Sequence, residues 1–205
     1  RAKKISGEYI GKITINGLEK KKPVPNTRSI FEYGNAKILF LEAQEIIPVL
    51  KRLFPMHWEE ILAISVTKTI RSVPIKYLES AWSKLYLSRE IDASMSPNII
   101  SEKLRSIGAD WSSQREFYKT LIGKKSVIFI DLSSIFSYSE NIRLAEKGYN
   151  KDHIGLRQIN FALLFSDEPV MLKAMPGSIR DVKYFVSVLE EFDLSDCIII
   201  IDRGF

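Results

Sequence analysis

The sequence predicts an α/β protein: a mixed sheet, cut off after its fourth strand, preceded by an all-helical region. Three observations predict it. A β-branched apolar run that ends at an aspartate occurs twice, as Val127-Ile128-Phe129-Ile130 before Asp131 and as Ile198-Ile199-Ile200-Ile201 before Asp202. Short unbroken runs of this kind read as strands buried on both faces, usually in a parallel pair. Between Ala36 and Leu121 the apolar residues recur at helical spacing instead. After Lys125 the order of patterns is strand, strand, strand, helix, strand.

The elements follow in chain order. Residues 5–16 alternate weakly through Tyr9, Ile13 and Ile15, then meet Asn16-Gly17, a hairpin turn signal. A Pro-rich linker with Pro23 and Pro25 runs to about Thr27. Leu39, Ala43, Ile46, Ile47 and Leu50 make one helical stripe, and Trp58, Ile61, Leu62, Ser65 and Val66 begin another. Pro74 starts a third helix carrying Leu78, Trp82, Leu85 and Tyr86. Ser96-Pro97 reads as an N-cap followed by a first-turn proline, with Gly108 as the stop. A last helix is expected near Gln114 to Ile122. Trp58, Trp82 and Trp111 are core candidates at these spacings.

In the strand region, strand one is expected at 126–132, strand two at 155–165 and strand three at 169–175, with the Asp167-Glu168 turn between the last two. Pro176-Gly177 breaks strand three. Ser178 and Asp181 have capping-box spacing for a helix whose apolar face is Ile179, Val182, Phe185, Val186, Leu189 and Phe192. A three-strand meander, a helix and then a strand is the front half of a ribonuclease H-like fold, in which the fourth strand returns beside the first. That return sets Asp131 and Asp202 side by side at the carboxyl edge of parallel neighbours, about 4.8 Å apart. Close carboxylates repel unless a proton or cation lies between them, and hard divalent ions suit the gap. The expected units are a basic arm with hairpin and linker (1–35), a helical region (36–124) and the catalytic half-domain (125–205).

Composition narrows the classes. With 45% hydrophobic and 27% charged residues in 205, the chain has ample material for a core. No run approaches the length of a membrane span, and Arg1-Ala2-Lys3-Lys4 lacks the apolar stretch of a signal peptide. The first residue is Arg, so an excised or processed piece is expected. Cys197 is the single cysteine, which excludes an internal disulfide and fits a reducing cytoplasm; at a strand start it reads as a small buried hydrophobe. The net charge of +5 is concentrated early: residues 1–37 hold nine Lys or Arg against three Glu. Lys20-Lys21-Lys22 beside the prolines reads either as a basic arm that favours DNA phosphates or as a solvated tail.

Four segments together resemble the bacterial insertion-sequence DDE transposases, whose catalytic core is ribonuclease H-like. They are Phe129-Ile130-Asp131-Leu132-Ser133-Ser134, Gly148-Tyr149-Asn150-Lys151-Asp152-His153, Met175-Pro176-Gly177-Ser178-Ile179-Arg180-Asp181 and Ile201-Asp202-Arg203-Gly204-Phe205. The likeness covers about Lys125 to Phe205, with a looser match in the helical region. It implies cleavage and strand transfer of double-stranded DNA at element ends with two Mg2+ or Mn2+ ions, Asp131 bridging both and Asp202 holding one. It also implies a third acid, a Glu on a helix beyond Phe205, so the piece is expected to be inactive alone. Self-association in a synaptic complex and action in the cytoplasm follow from the same likeness.

Other features carry two readings each. Lys151 and His153 fit approach to DNA near the site, or an ordinary surface loop. Arg203 fits a phosphate contact, or a pair with a surface acid. Ser96 to Leu121 fits a helix-turn-helix with Arg115 and Lys119 on its reading helix, yet Glu102, Asp110 and Glu116 favour helices that pack without touching DNA. Glu190 and Glu191 are poor substitutes for the third acid, because their helix points away from the far end of the sheet. Two rival functions remain: a non-catalytic DNA-binding remnant of a transposase, and another ribonuclease H-like nuclease. A four-isoleucine edge strand is expected to invite aggregation or pairing with another chain.

Overall fold

The computed structural model describes residues 11–15, 17–20, 30–123, 125–150, 154–179 and 181–201. The chain is α/β, with helices ahead of a four-stranded mixed sheet. A small hairpin comes first: β1 (Gly11–Thr14) pairs antiparallel with β2 (Gly17–Lys20), closing at Thr14↔Gly17. Gly17 has φ +108°, a backbone angle that side-chain-bearing residues rarely adopt, which is why glycine turns the chain here. The Pro-rich linker lies outside the described residues.

Six α-helices follow: α1 (Gly34–Glu42), α2 (Ile47–Leu53), α3 (Trp58–Ile70), α4 (Leu78–Trp82), α5 (Pro97–Ala109) and α6 (Trp111–Ile122). Their apolar stripes meet in a first core around Ile47, Leu62, Val66, Leu78, Trp82, Leu85, Leu87 and Ile100, with Trp58 packed on its rim. Ser96 is the N-cap residue of α5 and Pro97 its first residue, as the sequence indicates, although the Ser96 side chain makes no cap bond. The helix runs one residue past Gly108. A single residue, Asp110, separates α5 from α6, and its carboxylate caps α6 by accepting from the Ser113 amide at 3.1 Å. The Ser113 hydroxyl first, and its amide second, hold the Asp110 carboxyl below the usual carboxylate range.

The sheet has the order β5-β4-β3-β6, built from β3 (Val127–Ser137), β4 (Arg157–Phe165), β5 (Pro169–Pro176) and β6 (Ile198–Ile201), with α7 (Asp181–Phe192) between β5 and β6. β3, β4 and β5 form the antiparallel meander, and β6 lies parallel to β3. This is the expected strand order. One face of the sheet carries Ile128, Ile130, Ala162, Leu164, Met171 and Met175, covered by Val188 and Phe192 of α7 and by Ile122 of α6. Alternation puts Phe129, Ile135, Leu172, Ile198 and Ile200 on the opposite face, where each is exposed.

Three local expectations need correction. Strand one was expected to stop near Leu132, but β3 continues to Ser137 because β4 pairs with it from Phe129 to Ser137. Strand two opens at Arg157, two residues later than expected, since Asn150 and Ile154 close a side-chain-to-backbone bracket just before it. The helix that Ser178 was expected to open begins at Asp181, and the Ser178 hydroxyl donates to the Glu146 carboxylate.

Candidate functional site

The site residues are placed by pairing. β3 and β6 run parallel and in register over four pairs, ending at Ile130↔Ile201. Asp131 is the next residue of β3, exposed, on the open face with Phe129. It is therefore not at the end of its strand: β3 runs on with β4 to Ser137, and its pairing with β6 among the described residues reaches Ile130, one residue before the acid. Asp131 faces Leu163 across the antiparallel pair and forms no ion pair or side-chain hydrogen bond among the described residues. An uncompensated, solvated carboxylate of this kind is available to a hard cation. Asp202, the residue after Ile201, lies outside the described residues, as do Lys21, Lys22, Lys151, His153 and Arg203. Lys20 ends β2. Among the described residues no group of three or more His, Cys, Asp or Glu side chains converges on one point.

Glu190 and Glu191 precede β6 on α7. Glu191 is committed elsewhere: it accepts from the Trp111 indole at 2.7 Å and pairs with Lys173, on the helix-covered side of the sheet. Burial pushes its carboxyl up, but the Lys173 and Trp111 hydrogen bonds and the nearby Lys173 and Arg115 charges outweigh that, and the net shift is downward. Arg115 and Lys119 both sit beside Glu116, and Trp111 and Tyr118 of the same helix pack into the sheet core. Cys197 donates its thiol to the Lys125 carbonyl at 3.1 Å.

The sequence did not reveal a buried polar network at the far end of β3. Gln158 and Asn160 are only 1% and 5% exposed. The Gln158 amide nitrogen donates to the Tyr149 carbonyl and to Asn160 Oδ1, both at 3.0 Å, and to the Gly177 carbonyl at 3.3 Å. Asn160 Nδ2 donates to the carbonyls of Gly177 and Ile179 at 3.3 Å, and Ser134 Oγ donates to Asn160 Oδ1 at 2.7 Å. Two of the quoted segments, around Gly148 and around Gly177, are thereby fastened to β3 three residues beyond Asp131. The backbones interlock as well: a Cβ on Gly148 would lie 1.7 Å from the Gly177 carbonyl oxygen. The signal was present in the alternation of β4, where Gln158 and Asn160 share the face of Ala162 and Leu164.

No helix among the described residues is long and apolar enough to cross a membrane. No family model and no curated protein matches the chain. Among solved structures it is similar to a chain of the "Mos1 transposase paired-end complex with left transposon end", at 12% identity and a TM-score of 0.22. The match covers 62% of this chain and 44% of that one, so this chain spans less than half of that protein's length.

Proposed function

We propose that this chain contributes the first two acids of a metal-dependent enzyme that cuts and joins DNA, a transposase of the insertion-sequence DDE type. The observation that carries this reading is the parallel register ending at Ile130↔Ile201, one residue short of each aspartate. Continued by one step, that register would set residue 202 opposite Asp131, about 4.8 Å across. Two carboxylates at that spacing need a cation to neutralise them, and among the described residues Asp131 forms no ion pair. Asp131 and Asp202 would hold Mg2+ or Mn2+, with a third carboxylate supplied from outside residues 1–205. When bound, the ions activate the attacking oxygen and stabilise the leaving phosphate oxygen.

The residues of the chain itself supply position. β4 hydrogen-bonds β3 along its whole length, so the Asp131 backbone is held on both sides of the acid. The Asn150 side chain donates to the Ile154 carbonyl at 2.9 Å and accepts its amide at 2.7 Å, fixing both ends of the segment that carries Lys151 and His153. Lys20, Lys21, Lys22, Lys151, His153 and Arg203 are the proposed contacts to double-stranded DNA, with paired copies acting on element ends in the cytoplasm.

In the full-length protein, Asp131→Ala and Asp202→Ala each abolish strand transfer while leaving DNA affinity within about threefold, because removing one ligand disables the metal step and not phosphate binding. In the chain as given, either change abolishes Mn2+ binding followed by paramagnetic line broadening. Wild-type transfer rates in either variant overturn the proposal.

A further inference from the structure

We propose that the connection between β3 and β4 is a docking surface for an unpaired DNA strand at a duplex end, through Tyr138, Arg143, Lys147, Tyr149 and Arg157. This rests on the DNA partner proposed above, but on different residues. The pairing brings the five together. Arg157 opens β4 opposite Ser137, the residue before Tyr138. Glu146 and Gln158 exchange backbone hydrogen bonds of 3.1 and 2.8 Å, which sets Lys147, the next residue, beside Arg157. A turn closed by the Ala145 amide on the Ile142 carbonyl at 2.9 Å places Arg143 on the same connection.

The surface chemistry is selective. Tyr138 and Tyr149 are 87% and 74% exposed. Arg143, Lys147 and Arg157 are exposed and form no ion pair among the described residues. Of the described acids on this connection, Glu146 takes the Ser178 hydroxyl and Glu140 is an exposed counter-charge. Flat rings interleaved with unpaired cations match a polymer of flat faces and regular anions, the pattern of single-strand binding surfaces. In a closed duplex each base face is covered by its neighbours, so the rings discriminate in favour of unpaired bases.

The mount is rigid where it matters. The Tyr149 carbonyl is held by buried Gln158, and Gly148 packs directly on Gly177. Arg157 shares the open sheet face with Asp131 by alternation, and Ser137 lies six residue steps along the strand from Asp131, about 20 Å. A strand held here spans a few nucleotides before it reaches that acid.

The test measures anisotropy of two labelled probes, a blunt duplex and the same duplex with an unpaired tail, across a salt series. Wild type is expected to favour the tailed probe. Tyr138→Ala with Tyr149→Ala should weaken the tailed probe about tenfold and leave the blunt one unchanged. Arg143→Gln, Lys147→Gln and Arg157→Gln together should lower the salt slope by about 2 to 3 on the tailed probe, and the three Lys or Arg exchanges should restore it. Unchanged thermal midpoints establish that the variants are folded. Equal binding of wild type and variants overturns the docking surface and leaves the DNA reading intact. Equal losses on both probes overturn the unpaired-strand assignment. Wild type that ignores both probes, or binds only anionic vesicles, overturns the surface and the DNA reading together.

Discussion

Glycine is needed at 148 and 177 for lack of space and not for backbone freedom. A Cβ on Gly177 would sit 2.1 Å from the Gln158 carbonyl oxygen and 2.6 Å from that of Glu146, both backbone atoms that cannot swing aside. Gly177→Ala is therefore expected to destabilise the chain by about 2 to 3 kcal/mol in urea titrations, whereas Gly155→Ala, with nothing within 4 Å, should stay near wild type. Glu191 gives a pH prediction. Its folded carboxyl titrates below its usual value, so its contribution is fully present above the unfolded pKa and is lost as pH falls through the folded one. The advantage of wild type over Glu191→Gln should thus be constant near neutral pH and shrink in acid. An advantage that persists or grows in acid would contradict the assigned pairing.

At the scale of elements, α6 joins the two halves of the molecule. It lies within the residues expected to form the helical region, yet Trp111, Tyr118, Leu121 and Ile122 pack into the sheet core. Tyr118 also donates to the Leu172 carbonyl at 2.9 Å, and Phe117 meets Phe54, the C-cap residue of α2, with ring centroids 6.4 Å apart. Removing the Trp111 ring takes away the indole bond to Glu191 and the ring beneath Lys173, 4.6 Å from its centroid. Trp111→Ala should cost about 3 kcal/mol, at the low end for such truncations because the ring is half-buried, and scanning calorimetry would show the sheet melting earlier. The helical periodicity of α6 was legible in the sequence. Its partner was not, because an amphipathic stripe states that a face is buried without stating against what.

For the whole molecule, the consequential asymmetry is between the two faces of the sheet. One is covered by α6 and α7; the other exposes Phe129 at 45% and Leu172 at 53%, and β6 is the outer strand among the described residues. An uncharged outer strand of four isoleucines has none of the usual protections against edge pairing. Ile200→Lys, on the open face, should reduce concentration-dependent light scattering while changing stability by less than about 1 kcal/mol. If scattering is unaffected, self-association does not run through that strand.

By itself the sequence determined the element order, the meander and the parallel return, because apolar periodicity and β-branched runs are local properties of the chain. It also marked Asp131 as the acid that follows an apolar strand. Only the tertiary structure decided that this acid lies within a longer strand, which β4 extends to Ser137, since strand length depends on which partner supplies hydrogen bonds. The fastening of the Gly148 and Gly177 segments by Gln158 and Asn160 was likewise a tertiary matter. Buried amides choose partners by proximity in space, and nothing in their sequence spacing names the carbonyls they will meet.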